Sequence, residues 1–179
     1  MKKQDSHRKS NVQGHKGMKW RMTALAIVVF HSLLFLSCST IDCPFNAFVY
    51  SKYKLAGDVE KLSDYLTVSI NKIDGTDNDL LNSITEVDSF MLPMSYSQPE
   101  DVLYFNRTSG EMSVKDTVVV KKQNIPHFES IDCNPAYFHR IENVRYTHHG
   151  IDSIVILNKN VTYDDSKTHF QIYFKILSQ

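Results

Sequence analysis

The sequence predicts an all-β protein, an antiparallel β-sandwich that follows an N-terminal signal helix. Three features support this fold class. Apolar and polar residues alternate with a period of two along much of the chain, as strands with one buried face require. Clusters of Asp, Asn, Ser and Gly separate these runs and favour tight turns between antiparallel strands. After residue 37, no segment of the sequence shows the sustained 3.6-residue period of a long helix.

The individual strands are predicted from this alternation and from β-branched or aromatic content. Leu66, Val68 and Ile70 alternate with polar residues, whereas the run Ile-Val-Ile-Leu at 154–157 suits a strand buried on both faces. Residues 57–62 and 79–84 are each expected to hold a helical turn. Strands are expected at 45–53, 66–70, 101–106, 117–121, 137–147, 151–157 and 170–176.

Turn residues indicate how these strands connect. Polar breaks that contain Asp or Gly occur at 74–77, 106–110 and 164–166. His149 and Gly150 separate two predicted strands, which predicts a hairpin at this point. Short antiparallel strands joined by tight turns are typical of β-sandwiches, and the immunoglobulin arrangement is one candidate.

Residues 1–37 have the pattern of a signal peptide. An apolar core of fourteen residues at 23–36 follows a basic segment, whereas a transmembrane helix needs about twenty residues. The basic segment is long, and Met18 is expected to be the true start. The sequence Phe-Leu-Ser-Cys at 35–38 resembles the lipobox of bacterial lipoproteins, which implies cleavage before Cys38 and lipidation of Cys38. The alternative is an uncleaved anchor with Cys38 as an ordinary thiol.

The predicted organisation therefore has three parts: a lipoprotein signal peptide at 1–37, a lipidated N-terminus and short tether at 38–44, and one β-sandwich domain at 45–179. The chain has 20 basic and 20 acidic residues. Seven of the basic residues and one of the acidic residues lie in 1–37. The remainder thus carries 13 basic and 19 acidic residues, a net charge of −6. Because polyanion binding needs clustered Lys and Arg, nucleic acid is not expected as a partner.

Two cysteines remain if Cys38 carries lipid. Cys43 and Cys133 form an even pair in an oxidising compartment, which favours a disulfide between them. The alternative is two buried free thiols. A disulfide that closes a loop of about ninety residues would stabilise the domain by about 4 to 5 kcal/mol on chain-entropy grounds.

One loop carries the oxygen ligands that calcium prefers. Asp74, Asp77 and Asp79 lie within six residues, with Asn78 between the last two. The spacing does not match the EF-hand loop, which needs glycine at position six and glutamate at position twelve. Solvated turns also favour Asp, Asn and Gly for backbone reasons alone. These residues are therefore weak calcium candidates, and no other cofactor is expected.

Catalytic motifs are not found in the sequence. It has no Gly-x-Ser-x-Gly elbow and no glycine-rich phosphate loop. His148 and His149 are adjacent, so their side chains are expected on opposite faces of a strand and not around one metal ion. A hydrolase with a site assembled from separated residues stays an alternative, which a clustered His, acid and hydroxyl in a cleft would favour.

Several segments between Cys38 and residue 177 carry packing signatures. They are Cys38, Cys43-Pro44, 87–93, the region of Cys133, 152–156, 160–162 and 169–174. Together they resemble a family of uncharacterised lipoproteins from Bacteroidetes-type bacteria. The resemblance implies a lipid-anchored β domain of unknown function and supplies no catalytic or ligand-binding residue.

These observations predict a lipid-anchored protein of the bacterial cell envelope with a non-catalytic domain that binds or scaffolds other components. The alternatives are the small hydrolase and a calcium-stabilised β domain. Residues 39–42, Ser-Thr-Ile-Asp, lack the acidic cluster that resembles a surface-export signal. An outer-membrane lipoprotein that faces the periplasm is therefore expected, with an envelope protein or glycan as its partner.

Overall fold

The computed structural model describes residues 43, 48–71 and 77–177. Within this part of the chain there are ten strands, and no helix there has the length and apolar character needed to cross a bilayer. The predicted signal helix and Cys38 lie outside the described residues, and the division at 37/38 and 44/45 stays a prediction. The strands are β1 (Tyr50–Ala56), β2 (Tyr65–Asn71), β3 (Asp77–Ile84), β4 (Ser89–Pro93), β5 (Glu100–Ser109), β6 (Met112–His127), β7 (Ala136–Tyr146), β8 (Ile151–Ile156), β9 (Asn160–Val161) and β10 (Phe170–Phe174).

These strands form two sheets. One has the order β4-β1-β10-β8 and the other the order β3-β2-β5-β6-β7-β9. Pairing is antiparallel except between β1 and β10, which run parallel. The predicted all-β sandwich is confirmed. Its strand order is not the immunoglobulin one, because β1 and β2 lie in different sheets, whereas the first two strands of an immunoglobulin domain are neighbours in one sheet.

The core lies where the inner faces of the sheets meet. Tyr53 of β1 is fully buried. Its ring stacks on Phe90 of β4 and on Phe170 of β10, at centroid distances of 5.2 and 4.6 Å. Phe105 of β5, in the other sheet, has its ring centroid 6.0 Å from that of Tyr53. Aromatic pairs at such distances stabilise a protein beyond the effect of burying their apolar surface. The four rings therefore help to hold the two sheets together.

A buried arginine joins the sheets at one end. Arg107 of β5 forms a buried ion pair with Asp64. Its guanidinium also donates to the carbonyl oxygen of Lys175 at 2.8 Å, just after β10, and lies 4.5 Å from the ring centroid of Phe174. Because a buried charge requires partners, Arg107 fixes the position of the end of β10 relative to the six-stranded sheet.

The predicted hairpin at His149 and Gly150 is wrong. β7 belongs to the six-stranded sheet, whereas β8 pairs with β10 in the other sheet. The carboxylate of Asp116 on β6 accepts the backbone N–H groups of His149, Gly150 and Ile151 at 2.7, 2.6 and 2.9 Å. Asp116 therefore supplies the hydrogen bonds that this segment needs as it passes from one sheet to the other.

The helical turn predicted at 79–84 is also wrong, because these residues belong to β3. β3 pairs with β2, with Leu81 opposite Val68, and the register shifts near this pair. Pairing with a buried strand outweighs the weak local preference of Asp and Asn. Residues 57–62 form a turn and bends without a helix.

Candidate functional site

A groove with a volume of about 1010 Å³ opens beside the end of β4. Its walls come from β2, β3, β5 and the segment 94–99 that joins β4 to β5. The lining residues are Phe48, Ile70, Asn71, Leu80, Pro93, Met94, Ser95, Tyr96, Ser97, Gln98, Glu100, Asp101, Val102, Leu103 and Tyr104.

The groove is mainly apolar, and aromatic rings extend its rim. Phe48 and Tyr96 are both exposed, with ring centroids 5.8 Å apart. Tyr96 also stacks on Tyr137 of β7 at 5.3 Å. Val102 of β5 lines the groove with 41% of its surface exposed. An apolar concavity with a few polar groups is the usual form of a ligand site.

Lys122 of β6 holds the segment 94–99 in place. Its side chain is fully buried, and its Nζ donates to the Asp101 carboxylate at 2.8 Å and to the carbonyl oxygen of Gln98 at 2.9 Å. The backbone N–H of Lys122 donates to the carbonyl oxygen of Pro99 at 2.9 Å. One buried cation thus fixes both the loop and an acidic residue of the groove lining.

A second polar group holds the same loop. Asn124 Nδ2 donates to the carbonyl oxygens of Tyr96 and Gln98 at 2.8 and 3.0 Å. Asn124 Oδ1 is therefore an acceptor, and it lies 2.8 Å from Nδ1 of His139. The His139 ring must then carry its proton on Nδ1. The groove wall is consequently preorganised by a network that extends to β7.

Burial controls the ionisation of this network. Desolvation raises the pKa of Asp101 above its ordinary value, although Lys122 acts in the opposite direction. Desolvation, aided by the charge of Lys122, lowers the pKa of His139 to about 4. His139 is therefore neutral at neutral pH, while the ammonium of Lys122 carries the charge next to it.

The groove lining carries two acidic side chains, and each is paired with a cation. Among the described lining residues, only Glu100 and Asp101 are charged. Glu100 accepts from the Arg145 guanidinium at 3.2 Å, and Asp101 accepts from Lys122. Because both carboxylates are already paired, the described part of the lining presents little free charge and suits a neutral ligand.

The two cysteines predicted to pair do form a disulfide in the structure. Cys43 is joined to Cys133, with their Cα atoms 5.5 Å apart. Cys133 lies in the loop between β6 and β7, so the bond fastens the start of the domain to the end of the six-stranded sheet. The lipidation of Cys38 stays a prediction.

Of the three calcium candidates, only Asp79 has its side chain among the described residues. Asp74 and the side chain of Asp77 lie outside them, and Asp79 is exposed on β3. Over 43, 48–71 and 77–177, no group of three His, Cys, Asp or Glu residues is placed to hold a metal ion. Calcium binding at this loop stays a prediction.

A histidine, an acid and a hydroxyl, the set that a hydrolase would need, lie close together at the crossover after β7. The Thr147 hydroxyl donates to Asp116 Oδ1 at 2.7 Å, and His149 Nδ1 lies 3.4 Å from the same oxygen. Nucleophilic catalysis needs the hydroxyl to contact the imidazole, whereas here both contact the carboxylate. None of the three residues lines the groove. The arrangement explains the crossover and gives no support to hydrolysis.

Lys122 and Asp101 are not among the residues predicted from the sequence, although the sequence carries a signal for them. Val118 and Val120 face the core, and Lys122 continues their period of two. In the same way Asp101 precedes the buried Leu103 of β5 by two residues. A charged residue in phase with a buried apolar face is the pattern of a buried ion pair.

Comparison with known proteins shows one family. The model of a family of unknown function (DUF6452) matches residues 65–174, which contain β2 to β10. No curated protein and no solved structure matches the chain. The uncharacterised β domain that the sequence predicted agrees with this match. Since the match covers more than half of the sequence, the chain belongs to the family of unknown function DUF6452.

Proposed function

We propose that this chain is a lipid-anchored protein of the bacterial cell envelope whose β-sandwich is a non-catalytic binding module. The groove beside β4 is its binding site, and the preorganised apolar concavity is the observation that carries this proposal. The lipobox-like residues 35–38 and the apolar core at 23–36 support the anchor. In this proposal the protein is a lipoprotein of the outer membrane of Bacteroidetes-type bacteria and faces the periplasm.

The occupant of the groove is proposed to be an apolar segment of another envelope protein. Apolar side chains would fill the space beside Leu80 and Val102, and the aromatic rings of Phe48 and Tyr96 would cover them. The hydroxyl of Tyr104 accepts from Asn71 Nδ2 at 3.2 Å, and its own proton would be donated to a peptide carbonyl oxygen of the occupant. The described lining residues include no Lys or Arg, so anionic lipids and phosphorylated ligands are disfavoured as occupants.

A charge placed in the groove tests this site. Val102→Glu should abolish binding of the neutral apolar dye N-phenylnaphthylamine to the purified domain, since burying the dye beside an unpaired carboxylate is unfavourable. Val155→Glu is the matched control, because Val155 of β8 is 45% exposed but does not line the groove. Unchanged dye binding in Val102→Glu would contradict the groove assignment.

Crosslinking in cells tests the occupant. A benzoylphenylalanine at position 102 should give discrete protein adducts on irradiation, whereas the same residue at position 155 should not. Adducts whose crosslinked segment is rich in acidic residues, or equal adducts from both positions, would contradict an apolar protein segment as the occupant.

Labelled palmitate tests the anchor. The wild-type protein should incorporate the label, and Cys38→Ser should not, because the acyl chains would be attached through Cys38. Cys133→Ser serves as the control for a general effect of losing a cysteine. A wild-type protein without label, or a Cys38→Ser variant with as much label, would refute the lipoprotein assignment.

A further inference from the structure

We infer that the loop between β6 and β7 rests on the phospholipid surface that holds the acylated N-terminus, through Phe128 and Ile131. This inference rests on the proposed lipid anchor. It assigns a second contact between the domain and the membrane, and neither Phe128 nor Ile131 lines the groove.

The first observation is the exposure of two large apolar side chains in one loop. Ile131 is 99% exposed and Phe128 is 62% exposed. Ile125, at the end of β6, is exposed as well. Apolar side chains grouped on a surface mark an interaction site, and aromatic and aliphatic side chains are those that enter the interface of a bilayer.

The second observation is the covalent path from the anchor to this loop. Cys43 follows Cys38 by five residues, so their Cα atoms lie at most about 18 Å apart. Cys43 is bonded to Cys133, two residues beyond Ile131. If Cys38 is held at the bilayer by its acyl chains, the disulfide keeps the exposed loop next to the same surface.

The charges of the loop select the kind of lipid. Glu129 and Asp132 lie beside the two apolar residues, and Glu129 Oε1 accepts from His127 at 3.0 Å if the imidazole carries a proton there. Carboxylates are repelled by anionic headgroups. The surface that fits this loop is therefore zwitterionic, such as phosphatidylcholine or phosphatidylethanolamine.

The opposite end of the six-stranded sheet supplies a matched control. Tyr65 pairs with Thr108, which pairs with Ser113 near the start of β6. β6 is sixteen residues long and ends at the loop between β6 and β7. An extended strand of that length spans about 50 Å. Tyr65 is 54% exposed, so it resembles Phe128 in exposure but lies far from the disulfide.

Tryptophan fluorescence can test this contact. The single tryptophan of the sequence, Trp20, lies in the leader that the proposed processing removes. We would introduce Ile131→Trp or Tyr65→Trp into the acylated protein and insert it into phosphatidylcholine vesicles, with or without brominated acyl chains. Emission of the residue at 131 should shift to the blue and be quenched by bromine, and emission of the residue at 65 should do neither.

The outcomes separate the two proposals. Mass spectrometry of the same sample reports acylation, and a protein without acyl chains would refute the anchor itself. An acylated protein in which bromine quenches neither tryptophan would overturn only the loop contact. A blue shift at 131 that appears without vesicles and grows with protein concentration would assign the loop to self-association and also overturn it. In a Cys43→Ser, Cys133→Ser background, quenching at 131 should decrease, and unchanged quenching would contradict the tether.

Discussion

Lys122 illustrates what a single buried charge can do in a small β domain. Its ammonium is removed from water yet has a carboxylate and a carbonyl oxygen as partners. A buried ion pair adds little net stability compared with apolar packing, but breaking one costs about 3 to 5 kcal/mol because the remaining charge is unpaired. The benefit here is positional, since the pair fixes the loop 94–99 and with it the shape of the groove.

His139 is expected to make the stability of the domain depend on pH. Burial and the charge of Lys122 lower its pKa from 6.5 to about 4. Between these values the unfolded chain binds a proton that the folded chain does not. The free energy of unfolding should therefore decrease as the pH falls from about 6.5 to about 4 and show no further loss from this residue below that. Thermal unfolding of wild type and His139→Gln over this range measures the effect.

The expected result for His139→Gln is a shallower decrease than in wild type. A remaining slope is expected because burial also lowers the pKa of His169. Burial raises the pKa of Asp101. Just above the ordinary pKa of an aspartate, the folded chain therefore binds a proton that the unfolded chain does not, and this increases the free energy of unfolding as the pH falls. His148→Gln, at an exposed position, should retain the wild-type slope. Equal slopes in all three proteins would show that His139 is not held neutral.

At the scale of the strands, alternation in the sequence carried most of the information about the fold. Val118 and Val120 on one face of β6 are buried as their period of two predicts. The sequence places β6 at 117–121, whereas the strand runs from Met112 to His127. The additional residues are largely polar, and their pairing with β5 and β7 makes them a strand despite that composition.

Other features could not be predicted because distant residues decide them. The polar turn at His149 and Gly150 is compatible with a hairpin and with a crossover, and Asp116, 34 residues before Gly150, selects the crossover. The groove likewise needs β2, β3, β5 and the loop 94–99 to converge. Local sequence patterns specify which face of a strand is buried, but they do not specify which strands meet.

Asp116 is expected to be essential for this crossover. Burial opposes its ionisation, but hydrogen bonds from Thr147, His149, Gly150 and Ile151 keep its pKa below the ordinary value. In Asp116→Asn, one of the two acceptor oxygens is replaced by an NH₂ group. This group is a donor and would face backbone N–H groups that are also donors. The free energy of unfolding should decrease by about 2 to 4 kcal/mol, measured by urea denaturation.

Asp152→Asn provides the control for Asp116→Asn, because Asp152 is exposed on the adjacent β8. It should change stability by no more than about 0.5 kcal/mol. A loss in Asp116→Asn that is no larger than that of the control would mean that the backbone of the crossover is stable without the carboxylate.

At the scale of the molecule, the disulfide is expected to make a large contribution to stability. Cys43 and Cys133 are 90 residues apart in sequence, so the bond removes many conformations from the unfolded chain. The Cys43→Ser, Cys133→Ser variant should lose up to about 5 kcal/mol of unfolding free energy. Reduced wild-type protein should unfold at the same urea concentration as this variant. Equal stability of the oxidised and reduced proteins would show that the disulfide does not stabilise the folded domain.

The parallel pairing of β1 with β10 also has a consequence for biogenesis. A chain that emerges from its N-terminus first presents β1 long before β10, so the four-stranded sheet stays incomplete until β10 is available. Pairing between strands so distant in sequence slows folding. Until then β1 carries an unpaired edge that other chains can join. A protein shortened before Phe170 would retain that edge permanently, and it would be a substrate for proteases or aggregation.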